Sequence, residues 1–576
     1  MLSLRRAAVP GALVLATSLT ALVSPAASAS TTAAPTAHAG TAKQLPLGPS
    51  GLSETRTTTT IAPGLTMTTI TRGKMDPAKD YWTIGINLPI GDPTDDNDQD
   101  SPKALLGTKA EATAIAGRLL ANSEVAAQLE AKGWKPRVEA VDWVPEMKDF
   151  KGGLIGYTLR LGRWDAAPTS ADPLYAAVVA AGLSPAVVFT GQDGRPDNTG
   201  PWVVRSLTID FKRFQGNVSS TLGSAVSGRE TTTALARSKN AIYAVNGGFF
   251  VTADADGAQG IPAGLSVVDG KVKSAAINGR AALLLGDGGR DTEVSYLQTH
   301  FSVKAGKKRQ LVDGLNRTPG VIRNCGGVGG DVPTQRPVQD FTCTDDSEII
   351  GFTDDYGTTL PTGAGVEVVV GARGKVTAVQ ERTGGTVPKG STVLQGIGTG
   401  ATWLSKHAPV GTKITLDTKV TDERGRRVSF GKNDSVVNGG PVLVHKGKVS
   451  VDVRAEGMIH EDPELNLPDS ALGAAWGYSW VVRDNPRTGA GVDSQGRLLL
   501  VQADGRQSKL SQGLSIPDFA AVMKSLGAVE AFNLDGGGSS ATVVNGTLVS
   551  SPSDTSNGAQ VERSDGDALV VTAPRR

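Results

Sequence analysis

Residues 497–544 read RLLLVQADGRQSKLSQGLSIPDFAAVMKSLGAVEAFNLDGGGSSATVV. The first seven, RLLLVQA, form an apolar strand that stops at Asp504-Gly505-Arg506. Ser515 then opens a capping-box-like helix start, with Asp518 three residues on. Phe519, Val522, Met523 and Leu526 give the i, i+3, i+4, i+7 stripe of a packed helix, and Gly527 ends it. A second apolar strand, 528–534, terminates at Asp535-Gly536-Gly537-Gly538-Ser539-Ser540. Strand, crossover helix, strand makes the two strands parallel through a right-handed connection. Parallel strands finish at one edge of a sheet, where ligands of such sheets bind. The pattern therefore predicts that Asp504, Arg506, Asn533 and Asp535 converge on a common rim as parallel neighbours.

Three glycines without Cβ atoms let backbone N–H groups approach a ligand, as anion-binding nests do. Ser539 and Ser540 add hydroxyl donors. Taken singly, a tight turn explains the Gly-Ser run, and an Asp-Gly turn explains Asp504. Carboxylates, a guanidinium and an N–H-rich loop at one rim together suit a phosphorylated or sugar ligand. The run is not a Walker loop, because no Lys follows the glycines. Nor is it a serine-hydrolase elbow, because G-x-S-x-G is absent around Ser539 and Ser540.

Working outward, 241–250 (AIYAVNGGFF) is another apolar strand, ending in Asn246-Gly247-Gly248. Asn438-Gly439-Gly440-Pro441 repeats that theme after Ser435-Val436-Val437. A third stretch, Arg483-Asp484-Asn485-Pro486-Arg487-Thr488, holds an Arg that on its own reads as a surface residue. The runs at 267–272 (VVDGKV) and 543–548 (VVNGTL) are hairpins on Asp-Gly and Asn-Gly type I′ turns.

Toward the N-terminus, strand signals at Trp82, Ile84, Ile86 and Leu88 precede a helix over 109–122 capped by Thr108. Strands at 137–144 and 154–161, a helix at 171–181 and a strand at 185–190 follow. This β-α-β-β-α-β order is a split βαβ layout. The expected fold class is α+β or mixed α/β, with a small N-terminal domain and a larger mixed-sheet domain. Expected boundaries are an export signal at 1–29, a linker and extended segment at 30–75, the small domain at 76–192, a linker at 193–204 and the large domain at 205–576. The acidic run 92–100 lacks the Gly and closing Glu of an EF-hand loop and reads as solvated.

The 58 Lys plus Arg against 57 Asp plus Glu exclude a strongly basic nucleic-acid binder and an acidic tail. Arg5 and Arg6, a diluted apolar run over 7–23 and Ala27-Ser28-Ala29 form an export signal with a cleavage site. No later stretch approaches a membrane span, so a secreted, extracellular or cell-wall location is expected. Cys325 and Cys343, in one Gly-rich insertion around 320–345, read as a disulfide worth roughly 3 kcal/mol in the loop-entropy account. The few histidines lack zinc-binding spacing. No cofactor is expected, although a structural calcium ion at the pairs 345–346 or 354–355 stays open.

Two resemblances follow from these motifs. YWTIG at 81–85, TKAEA at 108–112 and GYTLRLG at 156–162 resemble a SPOR domain, which implies peptidoglycan binding by 76–192. NGGFF (246–250), NGGP (438–441), NPRT (485–488), ADGR (503–506), NLDGGGSS (533–540), Pro552-Ser553-Asp554 and Glu562-Arg563 resemble the phosphodiester glycosidase family over about 205–573. That resemblance implies a hydrolase acting on a sugar 1-phosphodiester, such as a GlcNAc-1-phosphodiester. It implies Asp504 and Asp535 as acid–base or nucleophile. It implies Arg487, Arg506 and Arg563 on the phosphate, with Asn246, Gly247, Gly248, Asn438, Asn533, Gly536, Gly537, Gly538, Ser539 and Ser540 lining the site. Cell-envelope or exopolysaccharide phosphoglycans are the expected partners. The second reading is a secreted wall- or phosphoglycan-binding protein without turnover.

Overall fold

The computed structural model describes residues 43–88, 105–143, 147–149, 152–277, 279–325, 336–357, 359–382, 384–459, 476–556 and 558–574. The export signal at 1–29 and the acidic run at 92–100 lie outside the described residues. Strands β1 (Glu54–Ala62) and β2 (Leu65–Arg72) pair antiparallel from Glu54↔Arg72 to Ala62↔Leu65.

Next come β3 (Trp82–Ile86), α1 (Lys109–Ala121), α2 (Ser123–Glu130), β4 (Arg137–Trp143), β5 (Gly153–Trp164), α3 (Pro173–Ala180) and β6 (Pro185–Phe189). Thr108 and Glu111 close a capping box on α1. The second helix α2 is unexpected: the Asn122 side chain accepts from the Glu124 and Val125 amides at 3.1 Å, ending one helix and capping the next. The four strands lie in the order β4-β5-β3-β6, every neighbour antiparallel. Ala112, Ile115, Leu119, Val125, Leu174 and Val178 bury the helices on one face of this sheet. From the same unit, Leu106, Ile155 and Val188 join a core shared with Trp202, Val482 and Trp480. Arg160 of β5 clamps Asp193 in a fork of 2.6 and 2.8 Å and reaches the Tyr478 hydroxyl at 3.3 Å.

The main sheet uses β7 (Trp202–Ile209), β9 (Val442–His445), β10 (Lys448–Val449), β11 (Arg487–Asp493), β12 (Leu498–Ala503) and β13 (Ala528–Asn533), with β8 (Ala241–Asn246) in a second sheet. The eight-stranded order is β1-β2-β7-β12-β11-β13-β9-β10. The N-terminal hairpin, expected as a linker and extended segment, is thus part of this eight-stranded sheet, because β2 pairs with β7 from Leu65↔Ile209 to Arg72↔Trp202. The helix α4 (Ile516–Ser525), capped by Ser515, carries the chain from β12 to β13. Those two strands run parallel but are not neighbours: β11 lies between them, antiparallel to both. The sequence reading had no means of placing 487–493 there.

The second sheet sets β8 between Thr542–Val544 and Ala568–Thr572, with Asn217–Thr221 beyond the latter. Tyr243, Val245, Leu569 and Val571 of this sheet pack onto Leu498, Leu500 and Phe532 of the main sheet. Phe519, Val522 and Met523 of α4 bury the opposite face against Leu499, Val501 and Ala531. Both I′ hairpins are present, with φ of 51° and 73° at Asp269-Gly270 and 49° and 75° at Asn545-Gly546.

Gly489 is small for a reason: a Cβ there would sit 2.8 Å from Phe519 Cε1. Phe519→Ala empties the volume that this close approach fills. It should destabilise the domain by about 3–5 kcal/mol, seen as a lower midpoint in urea unfolding.

Candidate active site

Three asparagine side chains weld the glycine-rich motifs together. Asn246, at the end of β8, donates from Nδ2 to the Asp535 carbonyl at 2.9 Å. Its Oδ1 accepts from Thr488 Oγ1 at 2.6 Å and from the Ala541 amide at 3.2 Å. Asn438 grips the Phe249 backbone at both ends, accepting its N–H at 3.0 Å and donating to its carbonyl at 3.1 Å. Asn533 donates to the Gly440 and Leu534 carbonyls at 2.8 and 2.6 Å. Backbone bonds from Asp535 N–H to Gly247, and from Gly537 N–H to Pro486, complete the weld. A side-chain amide can imitate a strand partner where the chain has left the ladder.

Beside this weld lies a cleft of about 470 Å³, lined by Phe249, Phe250, Trp476, Trp480, Asp535 and Arg563, and on its far wall by Arg323, Asn324, Gln339 and Asp340. Asp535 is half-buried and accepts the Gly536 amide at 2.8 Å. Arg563 is held by Asp554 through a fork of 2.7 and 3.2 Å. Gly538 packs under that fork, where a Cβ would come within 2.2 Å of Asp554 Oδ1 and 2.4 Å of Arg563 Nη2. Phe249 meets Trp480 edge-on at 6.1 Å, and Trp476 stacks obliquely on Trp480 at 5.7 Å. Such indole faces beside a carboxylate and a guanidinium fit a sugar ring with an anionic substituent.

Several residues expected in the site lie behind it. Asp504 is fully buried, taking Arg205 Nη1 at 2.8 Å, Gln502 Nε2 at 3.0 Å and the Ser551 amide at 3.1 Å. Its carboxylate is held within the sheet by these three donors. Arg487 is fully buried and donates to the carbonyls of Leu514 at 2.9 Å, Arg483 at 3.3 Å and Trp480. Its guanidinium lies 4.6 Å from the Trp480 ring centre, so it supports the indole from behind. Gly247 and Gly248 turn over Asp567, where a Cβ on Gly247 would meet Oδ1 at 2.2 Å. Asn438 and Asn533 are buried in the weld, and Ser539 and Ser540 are buried beneath the loop. Arg506, at φ 56°, is half-buried with Nε on Asn485 Oδ1 at 3.0 Å and is not among the residues lining the cleft.

The residues that sequence reasoning missed are Trp476, Trp480, Arg323, Asp340 and Asp565. Nothing in the sequence marks the tryptophans, whereas Ser564-Asp565-Gly566-Asp567 carries a readable acidic signal two residues past Arg563. Asp565 is buried, and burial followed by the neighbouring Asp535 charge lifts its carboxyl well above the usual range. Thr232 Oγ1 donates to it at 3.2 Å. Burial pushes Asp567 up to about 7, against the Gly248 amide and Ser220, which favour its ionised form. Burial lowers the Arg229 guanidinium, which bonds the Ser564 carbonyl at 2.8 Å and lies over Phe250 at 5.2 Å.

The disulfide Cys325–Cys343 is formed, with Cα atoms 5.9 Å apart, and its hairpin supplies the far wall of the cleft. Among the described residues no three His, Cys, Asp or Glu side chains are grouped to hold a metal ion. Asp345 and Asp354 accept the Ser347 and Gly390 amides, and Asp355 takes Lys273. No helix among the described residues is long and apolar enough to cross a membrane.

Residues 365–572 match the phosphodiester glycosidase family. The crystal structure of a Burkholderia pseudomallei protein whose name describes it as exported is 33% identical, covering 92% of this chain and 98% of that one with a TM-score of 0.77. The chain therefore belongs to one family with that protein, and its 365–572 region carries a phosphodiester glycosidase domain. Mouse N-acetylglucosamine-1-phosphodiester alpha-N-acetylglucosaminidase is 46% identical over 68 residues, 12% of this chain and 13% of the enzyme. A prophage-derived protein of Bacillus subtilis, YomE, is 37% identical over 90 residues, 16% of this chain and 13% of that protein. The chain thus matches only about an eighth of the length of these curated relatives. Neither the weld residue Asn246 nor the wall residues Arg323, Asn324, Gln339 and Asp340 fall within the matched family region.

Two outcomes test this geometry. Gly538→Ala should part Arg563 from Asp554 and remove ligand binding while leaving the far-UV circular dichroism unchanged. The second concerns pH. Asp567 keeps its proton in the folded state up to about 7, whereas an unfolded Asp loses it near ~3.9. Folding therefore takes up a proton between these values, and stability from this group falls with rising pH across that window. Unfolding midpoints measured from pH 4.5 to 7 should fall less steeply in Asp567→Asn than in the parent.

Proposed function

We propose that the chain is a secreted hydrolase that cleaves a sugar 1-phosphodiester, of the GlcNAc-1-phosphodiester kind, in cell-envelope or exopolysaccharide phosphoglycans. The observation that carries this reading is the placement of Asp535 and Arg563 on one aromatic-walled cleft. A hydrolase of this type must hold the phosphate, seat the sugar ring and present a carboxylate to the anomeric carbon. Arg563, oriented by Asp554, binds the phosphate oxygens through its guanidinium edge. Trp480 and Phe249 seat the sugar face. Asp535, held at its backbone by Asn246, is the carboxylate that meets the anomeric centre, and Asp504 is a buried counter-charge to Arg205.

Departure of the phosphate needs little protonation, since a phosphodiester oxygen leaves as a stable anion. The demand on the protein is then electrostatic: a negative carboxylate for the oxocarbenium-like carbon and a positive group for the leaving phosphate. Asp565, buried and inclined to stay protonated, adds no second negative charge beside Asp535. The wall-binding role implied by the SPOR resemblance belongs to the same proposal. Its support is the antiparallel four-stranded sheet with its helices on one face and the motifs at 81–85, 108–112 and 156–162. It expects the full chain to sediment with purified peptidoglycan glycan strands.

The test is release of free sugar from a GlcNAc-1-phosphodiester by the purified chain. Asp535→Asn should abolish release, and Arg563→Gln should lower kcat by roughly 10²–10³-fold, as loss of one preorganised charge does. Binding of the diester without any release, by the parent chain and across a panel of envelope phosphoglycans, would leave the recognition module as the better reading.

A further inference from the structure

Trp480, which lines the cleft, stands at the centre of a wide turn. The Arg483 amide reaches the Tyr478 carbonyl at 2.9 Å, an i→i+5 bond that gives Tyr478–Val482 one turn of π-helix. Such turns are rare and often mark functional sites. From the main sheet, Arg487 lies 4.6 Å from the Trp480 ring centre and donates to the Trp480 carbonyl. Asn485 Nδ2 donates to the Ser479 carbonyl at 2.9 Å.

The same turn is also held by the small N-terminal unit. Leu159 and Leu161 of β5 pack under the helices, so Arg160 between them projects from the opposite face of that sheet. It is buried there, and its Nη2 donates to Asp193 at 2.8 Å and to the Tyr478 hydroxyl at 3.3 Å. Nη1 takes the other Asp193 oxygen at 2.6 Å and faces Glu139 at 3.4 Å. A bidentate pair of this kind fixes the direction of the guanidinium. The chain that follows the small sheet adds its own bonds. The Asp484 amide donates to the Gln192 carbonyl at 2.9 Å, and Asn198 Nδ2 donates to the Asp484 carboxylate at 3.0 Å. Gly194, at φ 66°, passes so close that a Cβ would lie 2.1 Å from the Val482 carbonyl oxygen. Ile155 and Val188 of the small sheet share one core with Tyr478, Trp480 and Val482.

We infer that Arg160 is a positioning residue of the cleft: acting through the Tyr478 hydroxyl, the small N-terminal unit sets where the Trp480 face stands, and with it the affinity of the cleft for a sugar ring. This rests on the phosphodiester reading above, in which Trp480 seats the sugar. A ring held in place beforehand loses less freedom when a ligand settles on it. That contact is made before and during reaction alike, so its loss appears in KM rather than in kcat.

The experiment follows sugar release by the full chain from the methyl diester of GlcNAc-1-phosphate. Tyr478→Phe removes the hydroxyl and leaves the Arg160–Asp193 fork whole, whereas Arg160→Met removes the guanidinium. KM should rise about threefold in the first and about tenfold in the second, with kcat within about twofold of the parent. In a Trp480→Ala background, adding Tyr478→Phe should raise KM no further, because the face being positioned is gone. An unchanged KM in Tyr478→Phe, a fall in kcat at constant KM, or effects that multiply in the double variant would overturn the inference. Should Arg160→Met fail to unfold cooperatively, Tyr478→Phe decides. If the parent binds the diester without cleaving it, Kd from titration calorimetry takes the place of KM. If it neither binds nor cleaves, the proposed activity fails, and hydrogen exchange of the 478–485 amides decides without a ligand. Faster exchange in Tyr478→Phe then supports the positioning role, and unchanged exchange refutes it.

Discussion

The structure depends on one kind of interaction: asparagine side chains bonded to the backbone of loops that have left their sheets. Asn246, Asn438 and Asn533 each stand at a strand end, and each supplies the bonds the next strand would have given. An unpaired amide in so buried a place would cost about 1–3 kcal/mol. The glycines beside each asparagine then have a steric meaning. They let Gly247 turn over Asp567, and Gly439 lie against the Asn533 carbonyl at a distance no Cβ allows. Asn-Gly-Gly is thus a joint, and the site hangs from two such joints and the Asn-Leu-Asp-Gly-Gly-Gly loop.

Burial divides the charged residues into two groups with different work. Asp504 with Arg205, and Arg487 with its three carbonyls, are paid for by partners and kept from water. A buried ion pair such as Asp504 with Arg205 adds little net stability but penalises any rearrangement that strands one partner. Asp535 and Arg563 instead keep a face on the cleft. Arg487 links the two groups: it is a cation beneath Trp480, so its charge reaches the cleft only through the indole it supports.

Much of this was legible in the sequence because it was local. The Ser515 cap, the apolar stripe of α4 and the Asn-Gly and Asp-Gly turns are short-range patterns, and each formed as its residues dictate. That β12 and β13 run in the same direction followed from the crossover helix alone, whereas the burial of Asp504 behind the cleft did not. What the sequence hid was long-range. Nothing in NPRT says that its strand inserts between β12 and β13, and that insertion is what buries Arg487. Nothing in the Thr-rich run at 54–72 distinguishes a tether from a sheet hairpin, because its alternation is of polar residues with half-buried ones. The tryptophans of the cleft follow a stretch with no periodic signal, so only the fold brings them to Asp535.

Strand order also decides when the site can exist. β8, which carries Asn246, is flanked by Thr542–Val544 on one side and Ala568–Thr572 on the other. Arg563 and Asp567 lie just before that latter strand. A chain emerging from the ribosome with 500 residues exposed would hold the Asn438 joint to Phe249 but neither the Asp535 and Ala541 partners of Asn246 nor the carboxylate and the guanidinium of the cleft. Pairings of such long sequence separation form late and slowly. The cleft is therefore assembled late, and a translation product that stops before Arg563 cannot carry it.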